Sequence, residues 1–498
     1  MVVVGSGPNG LVAACVLARA GLEVVVVEAK PHPGGAARTT EKTLPGFLHD
    51  VGAGFFPFGT LSPAFKDLDL PGAGLELLWA PIDSAHPARD GSCGVIGRDV
   101  DRCAEMLGKD GKAFTDWARW WAEVEPSLLP ALLATPPAVR EMAKVSPLVL
   151  AKFARLAAMS CRGLAEHFFE TDAARRIIPA LALHTDVAPS DPLGSPIGFM
   201  LAATSTTGGF SVPRGGAGSI TRALLARLAE LGGRIEYGAR VRKIRMDGTR
   251  AVGVETVRGP IDAKVAVVAD TAAPTLYLEL LPSRVVPGQV LEKMRTFKRG
   301  FGTFKMDWAL DAPVPWTSES CREAGVVHTG EDIDDLDRFA KEIHDGKMPT
   351  DPYLVIGQQS LVDSSRAPKG KHTLWAYSRV PSELDGKAWT AEAKATYAAR
   401  IEKRIEELAP GFGETILERD ASSPQDLFAM NENLLGGDLG GGTAQITNQV
   451  ILRPMFPYYR YRTPINGLYL GSSYAHPGAG VHGMCGYNAA NAVLEDAR

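Results

Sequence analysis

Gly5, Gly7 and Gly10, in the run Gly5-Ser6-Gly7-Pro8-Asn9-Gly10, lie between the valine run Val2–Val4 and a stretch from Leu11 to Ala20 that is apolar on nearly every face. That order reads as strand, tight turn and buried helix. Gly5 permits the sharp turn, Gly7 lets backbone approach a pyrophosphate, and Gly10 lets helix and strand pack closely, while the helix N-terminus offers unpaired N–H groups to phosphates. Gly21 closes the helix. A second valine run, Val24–Val27, ends at Glu28, whose carboxylate is placed to accept hydrogen bonds from ribose hydroxyls. The chemistry of this constellation is recognition of a dinucleotide, and an acid at the second strand end disfavours a phosphorylated ribose.

The next segment separates the remaining dinucleotides. Pro33-Gly34-Gly35-Ala36-Ala37-Arg38-Thr39 is a glycine pair followed by one arginine. An NAD domain has no need of it, whereas glycines permit close backbone approach and Arg38 supplies a fixed charge for a diphosphate. Two later blocks have the same character. Pro213-Arg214-Gly215-Gly216-Ala217-Gly218 opens a helix with leucines at 224, 225, 228 and 231, followed by a strand through 239–244 and a buried run from Val265 to Ala269. At the C-terminal end, a strand ending at Leu470 delivers Gly471 and Ser472, and the loop Gly478 to Gly483 opens a small-residue helix whose N-terminal dipole favours negative charge.

With these blocks in order, the chain resembles the phytoene desaturase-like branch of the flavin amine oxidase superfamily, over residues 2 to about 495. Bacterial phytoene desaturases, carotenoid isomerases and retinol saturase belong to that branch. Further marks are Asn9-Gly10-Leu11-Val12-Ala13-Ala14, Leu44-Pro45-Gly46-Phe47, Ala475-His476-Pro477-Gly478 and Gly486-Tyr487-Asn488-Ala489-Ala490. The resemblance implies an α/β fold: a Rossmann-like FAD-binding domain of the glutathione reductase and amine oxidase type, with an interleaved α+β substrate domain. The FAD domain is expected to be discontinuous, from 1–75, 205–290 and 440–498, with 76–204 and 291–439 forming the substrate domain. Independently, 76–204 loses the Rossmann pattern and reads as helical and Pro-punctuated. The resemblance makes FAD the cofactor, held by Gly5, Gly7, Pro8, Asn9, Gly10, Glu28, Ala29, Gly34, Gly35, Ala36, Arg38, Gly471, Ser472, Gly480, Val481 and His482, with Val241 giving a backbone contact to adenine.

Catalysis in such a protein belongs to the flavin, which accepts a hydride at N5, so few catalytic side chains are required. Lys305 stands in a strand otherwise fit for burial, Phe301 to Leu310, and relatives often carry a lysine in this region near flavin N5. Alternation could equally place it on a solvated sheet face. His476 and His482 flank the C-terminal glycine loop and could act as acid or base or as structural hydrogen-bonding groups. Tyr474, with Tyr458, Tyr459, Tyr461 and Tyr487, gives an aromatic density that could line a substrate cavity or simply pack. A turn hydrogen bond is expected for His49-Asp50.

The reading these residues favour is a dehydrogenase acting on a C–H bond of a hydrophobic, isoprenoid or cyclic, small molecule. Amine oxidation at a C–N bond, redox-neutral isomerisation and non-catalytic binding of a lipid or prenyl group are the alternatives. Retention of Gly7, Glu28, Gly35, Arg38 and the Gly478 to Gly483 loop argues against the last. No second strand–GxGxxG–helix unit follows, so reduced flavin is expected to pass electrons to oxygen, a quinone or another protein.

Composition narrows the setting. At 498 residues, with 45% apolar and 22% charged residues, the chain suits a globular protein of more than one domain. Lys plus Arg number 53 against 57 Asp plus Glu, a net charge of -4 that offers no field for nucleic acid. None of the six cysteines forms a CxxC pair, no His or Cys cluster has metal-ligand spacing, and Met1 leads straight into a strand, so a reducing, cytoplasmic setting without metal is expected. The stretch 128–157 mixes leucines with Lys144, Lys152 and Arg155, which suits either a core or peripheral membrane contact. A homo-oligomer is left open.

Overall fold

The computed structural model describes residues 1–498. Its first sheet is five-stranded and wholly parallel, in the order Leu468–Leu470, Val267–Ala269, Val2–Val4, Val25–Val27 and Arg234–Glu236. The three central strands are wholly buried and built from Val and Ala, as a parallel sheet covered on both faces demands. The helix Pro8–Arg19 crosses between the first two strands and is buried from Gly10 to Ala18, packed by the helices Gly218–Glu230 and Met484–Asp496. Close approach of the last helix depends on Gly486, where a Cβ would stand 1.8 Å from the Asn9 carbonyl oxygen. An antiparallel three-stranded sheet, Val241–Asp247, Arg250–Thr256 and Gly259–Asp262, follows the strand Arg234–Glu236 in the chain.

The second large sheet has seven strands, ordered Ile416–Ser422, Gly302–Leu310, His372–Val380, Val355–Gly357, Ala324–His328, Ile82–Pro87 and Cys93–Ile96. Every pairing is antiparallel except that of Ala324–His328 with Ile82–Pro87. Gly302–Leu310 is buried at all of its positions because both faces are covered. Phe304, Met306 and Trp308 pack toward the helix Ala391–Leu408, with Phe304 edge-on to Tyr397 and the Trp308 indole donating to Glu402. Thr303, Lys305 and Asp307 point the opposite way. The region 76–204, expected to be helical, contributes the strands Ile82–Pro87 and Cys93–Ile96 before its helices begin at Val100. Those strands recruit a partner far along the chain, which local pattern does not reveal. One continuous apolar core runs through both sheets.

Candidate functional site

A cleft of about 320 Å³ opens at the carboxyl ends of the parallel strands, the position where open α/β sheets bind ligands. Val4 to Asn9, Val27 to Lys30, Gly35, Ala36, Arg38, Arg240, Val241, Asp270, Met430 to Leu434, Ser472 to Tyr474 and Gly478 to Val481 all line it. Of the residues expected to hold the cofactor, Gly5, Gly7, Pro8, Asn9, Glu28, Ala29, Gly35, Ala36, Arg38, Val241, Ser472, Gly480 and Val481 therefore meet at one surface. Gly10, Gly34, Gly471 and His482 stand behind it. Gly10 packs on Gly5 and Asp270, Gly34 donates to the Ser6 carbonyl at 3.0 Å, and Gly471 gives room to Ala489 and Gly486.

The loop is built to face an anion. The amides of Gly7 and Asn9 have no partner in the chain, and the Asn9 Oδ1 and Thr271 Oγ1 are buried without one. Arg38 donates from Nε to the Gly35 carbonyl at 2.9 Å and has no carboxylate partner. The Glu28 carboxylate is braced by the Ser6 amide at 3.0 Å and the Lys30 amide at 2.8 Å. On the far side, Gly478, Gly480 and Gly483 take positive φ, as does Val481 at 51°, a conformation a β-branched residue adopts only under constraint from its surroundings.

The first residue of this loop, Gly478, is packed by Arg453. The buried Arg453 guanidinium donates to the carbonyls of Gly440 at 2.7 Å, Gly441 at 3.0 Å and Ser473 at 2.7 Å. Sequence reasoning missed it, because a lone arginine carries no local signal. It missed Asp270 for the same reason. This carboxyl ends the strand Val267–Ala269, is buried, and accepts from the Gly10 amide at 2.9 Å; burial pushes it up to about 7. A Cβ on Gly7 would stand 2.7 Å from its Oδ2, so glycine is required there by the acid behind as well as by any ligand in front.

The expected catalytic residues are dispersed. Tyr474 lines the cleft with its ring, its hydroxyl donated to the Asn433 carbonyl at 2.9 Å. His476 bonds the Leu132 carbonyl at 3.0 Å through Nε2, and His482 accepts the Met484 amide at 3.0 Å on Nδ1. Burial pushes both down to about 4, so they are neutral near pH 7. Lys305 lies off the cleft wall, with 4% of its surface exposed, its ammonium ion-paired with Asp307. Asp307 also receives Lys42 at 3.2 Å and lies 3.6 Å from His49 Nδ1. Against desolvation, which raises it, Lys305 and Lys42 hold Asp307 below the usual carboxylate range, while desolvation lowers Lys305. His49 bonds Thr43 Oγ1 at 2.8 Å and Asp50 accepts from Thr39, both within the local hairpin, but Asp50 also accepts from the Ala217 amide and the buried Arg366 guanidinium, distant segments that the expected turn bond did not include.

The fold and the cleft define a dinucleotide-dependent oxidoreductase of the two-sheet type. Residues 3–68 match the model for an NAD(P)-binding Rossmann-like domain, and residues 139–377 that for flavin containing amine oxidoreductase. Pyridine nucleotide-disulfide oxidoreductase domain-containing protein 2 of Rattus norvegicus is 27% identical over 99% of this chain and 93% of its own length. A zeta-carotene-forming phytoene desaturase of Myxococcus xanthus is 27% identical over 97% and 90%. Among solved structures, an oxidoreductase from Methanosarcina mazei aligns with TM-score 0.64 at 19% identity, covering 99% of both chains, and cyclohexylamine oxidase of Brevibacterium oxydans with 0.59 at 15%, covering 100% and 98%. The chain is an FAD-dependent oxidoreductase, and its residues 139–377 match the flavin containing amine oxidoreductase family. Its cofactor is FAD, and the unpartnered amides, Arg38, whose charge meets only the Gly35 carbonyl and the His32 ring, and the glycine-lined cradle fit the diphosphate of that molecule.

Proposed function

We propose that this oxidoreductase is a dehydrogenase that introduces a double bond into a largely hydrophobic small molecule, with the phytoene desaturase-like branch as its home. Bound FAD would accept the hydride from one carbon and pass its electrons to oxygen, a quinone or another protein; the adjacent carbon releases a proton. The observation that carries the reading is an aromatic wall. Phe58 packs edge-on to His482 at 5.6 Å beside Gly480, Phe55 of the same loop lies edge-on to Trp375 at 6.1 Å, and Trp375 stacks on Tyr377 at 5.6 Å. The wall thus leads from the C-terminal cofactor loop onto the seven-stranded sheet, and it suits an apolar body.

Relatives named as desaturases support it, among them hydroxyneurosporene desaturase of Cereibacter sphaeroides, matched over 100% of this chain. An aromatic pair also suits an amine, but here the Arg379 guanidinium already lies 5.2 Å over the Tyr377 ring, which repels an ammonium group. Within the same reading Lys305, Tyr474, His476 and His482 act as positioning residues around the loop and sheet. Val139, Leu148 and Phe456, exposed by 70%, 82% and 62%, would meet a membrane surface from which such a substrate enters. Anaerobic titration of the holoenzyme with isoprenoids, cyclic ketones and amines tests the proposal. Flavin bleaching by a hydrophobic compound that carries no amine, with a new carbon–carbon double bond in the product, is expected; bleaching by amines with release of ammonia refutes it.

A further inference from the structure

Arg379 lies on the strand His372–Val380, on the same face as Trp375 and Tyr377. The neighbouring strand sets Thr303 opposite Arg379 and Lys305 opposite Tyr377. Only 4% of the arginine surface is exposed, yet no carboxylate lies within ion-pairing distance. Its one hydrogen bond runs from Nη1 to Thr303 Oγ1 at 2.7 Å, and Nε is buried without a partner.

The other deeply buried arginines have their charge met by carboxylates or several carbonyls, although Arg366 Nη1 and Arg404 Nε and Nη1 also lack a hydrogen-bond partner. Arg366 pairs with Asp50 at 2.7 Å, Arg404 pairs with Glu331, and Arg176 and Arg453 spread their donors over backbone carbonyls. A buried guanidinium with one neutral acceptor is costly, and contact with the Tyr377 ring recovers part of that cost only. The nearby titratable groups supply no anion. His184, which bonds the Tyr377 hydroxyl at 3.0 Å through Nδ1, is pushed by burial, and next by Arg379, down to about 3 and is neutral. Tyr377 and Tyr353 are pushed up by burial and stay protonated.

The free donors have a shape. Thr303 occupies Nη1, which leaves Nε and Nη2, the two parallel donors along one edge of the guanidinium plane. That edge matches the two oxygens of a carboxylate. The aromatic wall reaches it from the cofactor loop, and Tyr377 keeps some accessible surface while its strand neighbours on either side are buried.

We propose that Arg379 is a subsite for a carboxylate carried at one end of the substrate, whose apolar body lies along the Phe55–Trp375–Tyr377 wall toward the flavin. The substrate class is therefore a hydrophobic monocarboxylic acid. This assignment rests on the dehydrogenase reading for its direction, but binding tests it separately. The FAD-loaded enzyme is titrated with decanoate against decanol, and with cyclohexanecarboxylate against cyclohexanemethanol, following perturbation of the flavin visible spectrum.

The acids are expected to bind at least about tenfold more tightly than the matched alcohols, the scale of one charge-assisted hydrogen-bonded pair. Arg379→Met should abolish the difference with flavin content unchanged, and Arg379→Lys should keep a part of it. Should Arg379→Met fail to fold, Thr303→Val, which frees Nη1 without removing the cation, still has to retain the acid preference. Equal binding of acid and alcohol by the wild type, or an acid preference that survives Arg379→Met, overturns the subsite. Arg379-dependent acid binding with no flavin reduction by any hydrophobic acid sinks the dehydrogenase reading and leaves the subsite standing. Reduction of wild type and Arg379→Met alike by uncharged compounds does the reverse.

Discussion

Asp270→Asn tests how the chain manages charge beneath the diphosphate. Asp270 accepts the Gly10 amide at the N-terminus of the first helix, so a carboxylate there uses the same dipole that an anionic ligand requires. Burial pushes its carboxyl from an ordinary 3.8 up to about 7, with the Gly10 bond acting in the opposite direction and the charge of Glu28 adding to the rise. The folded chain therefore holds this proton more tightly than the unfolded chain does. The associated stability is complete below the unfolded value and is lost as pH rises through about 7. A shift of roughly three units at 1.36 kcal/mol each makes the span about 4 kcal/mol.

FAD adds negative charge against the same helix end, so the holoprotein holds the proton more tightly still, and binding above pH 7 must take a proton up. The dissociation constant for FAD should then weaken by up to about tenfold per pH unit above neutrality. Apoprotein titrated with FAD at several pH values, at fixed ionic strength and followed by flavin fluorescence, measures it. Asparagine keeps the acceptor for Gly10 and cannot ionise. Asp270→Asn should bind as tightly as wild type does at acid pH and show no such slope, and the stability gap between the two proteins should widen from pH 4 to pH 7. A flat wild-type profile, or the same slope in the variant, would refute the assignment of the proton to Asp270.

Gly486→Ala places a methyl group 1.8 Å from the Asn9 carbonyl oxygen, so the last helix must move; a loss of about 3 kcal/mol in denaturant unfolding, with weaker FAD retention, is expected. Arg453→Met leaves the carbonyls of Gly440, Gly441 and Ser473 without their shared donor, and flavin should be lost on gel filtration, whereas Arg453→Lys should retain an intermediate amount. Lys305→Met removes one of the cations on a fully buried carboxylate; about 3 kcal/mol of stability should go, most of it restored in Lys305→Met/Asp307→Leu, with the rate of flavin reoxidation unchanged. Slower reoxidation at unchanged stability would instead place Lys305 in the chemistry.

The first strand, helix and second strand were legible because a parallel βαβ unit writes its constraints locally. Buried strands of valine, glycine at the turn and an acid at the strand end all fall within one short stretch. Strands Ile82–Pro87 and Cys93–Ile96 were not legible as members of a sheet, since the parallel partner of the first begins at Ala324. Asp270 and Gly10 meet across 260 residues, and Arg453 gathers carbonyls from two separate loops. Each of these residues is unremarkable beside its own neighbours, and only the closed fold gives it a partner.

The division within the site has a physical cause. A diphosphate is recognised largely by backbone amides, and backbone can reach it only where side chains are missing, so glycine is forced at positions such as Gly7 and the requirement appears in the sequence. The opposite wall is made by side chains projecting from sheet strands, where alternation constrains which face a residue takes but leaves its chemistry free. Trp375, Tyr377 and Arg379 fit the middle of any buried strand. Their meaning comes from what lies across from them: Phe55 from an N-terminal loop, His184 from the helical region and Thr303 from the adjacent strand. The half of the molecule that binds the cofactor is thus readable from residue order, and the half that selects the substrate becomes readable only when a buried charge is found without a counter-charge.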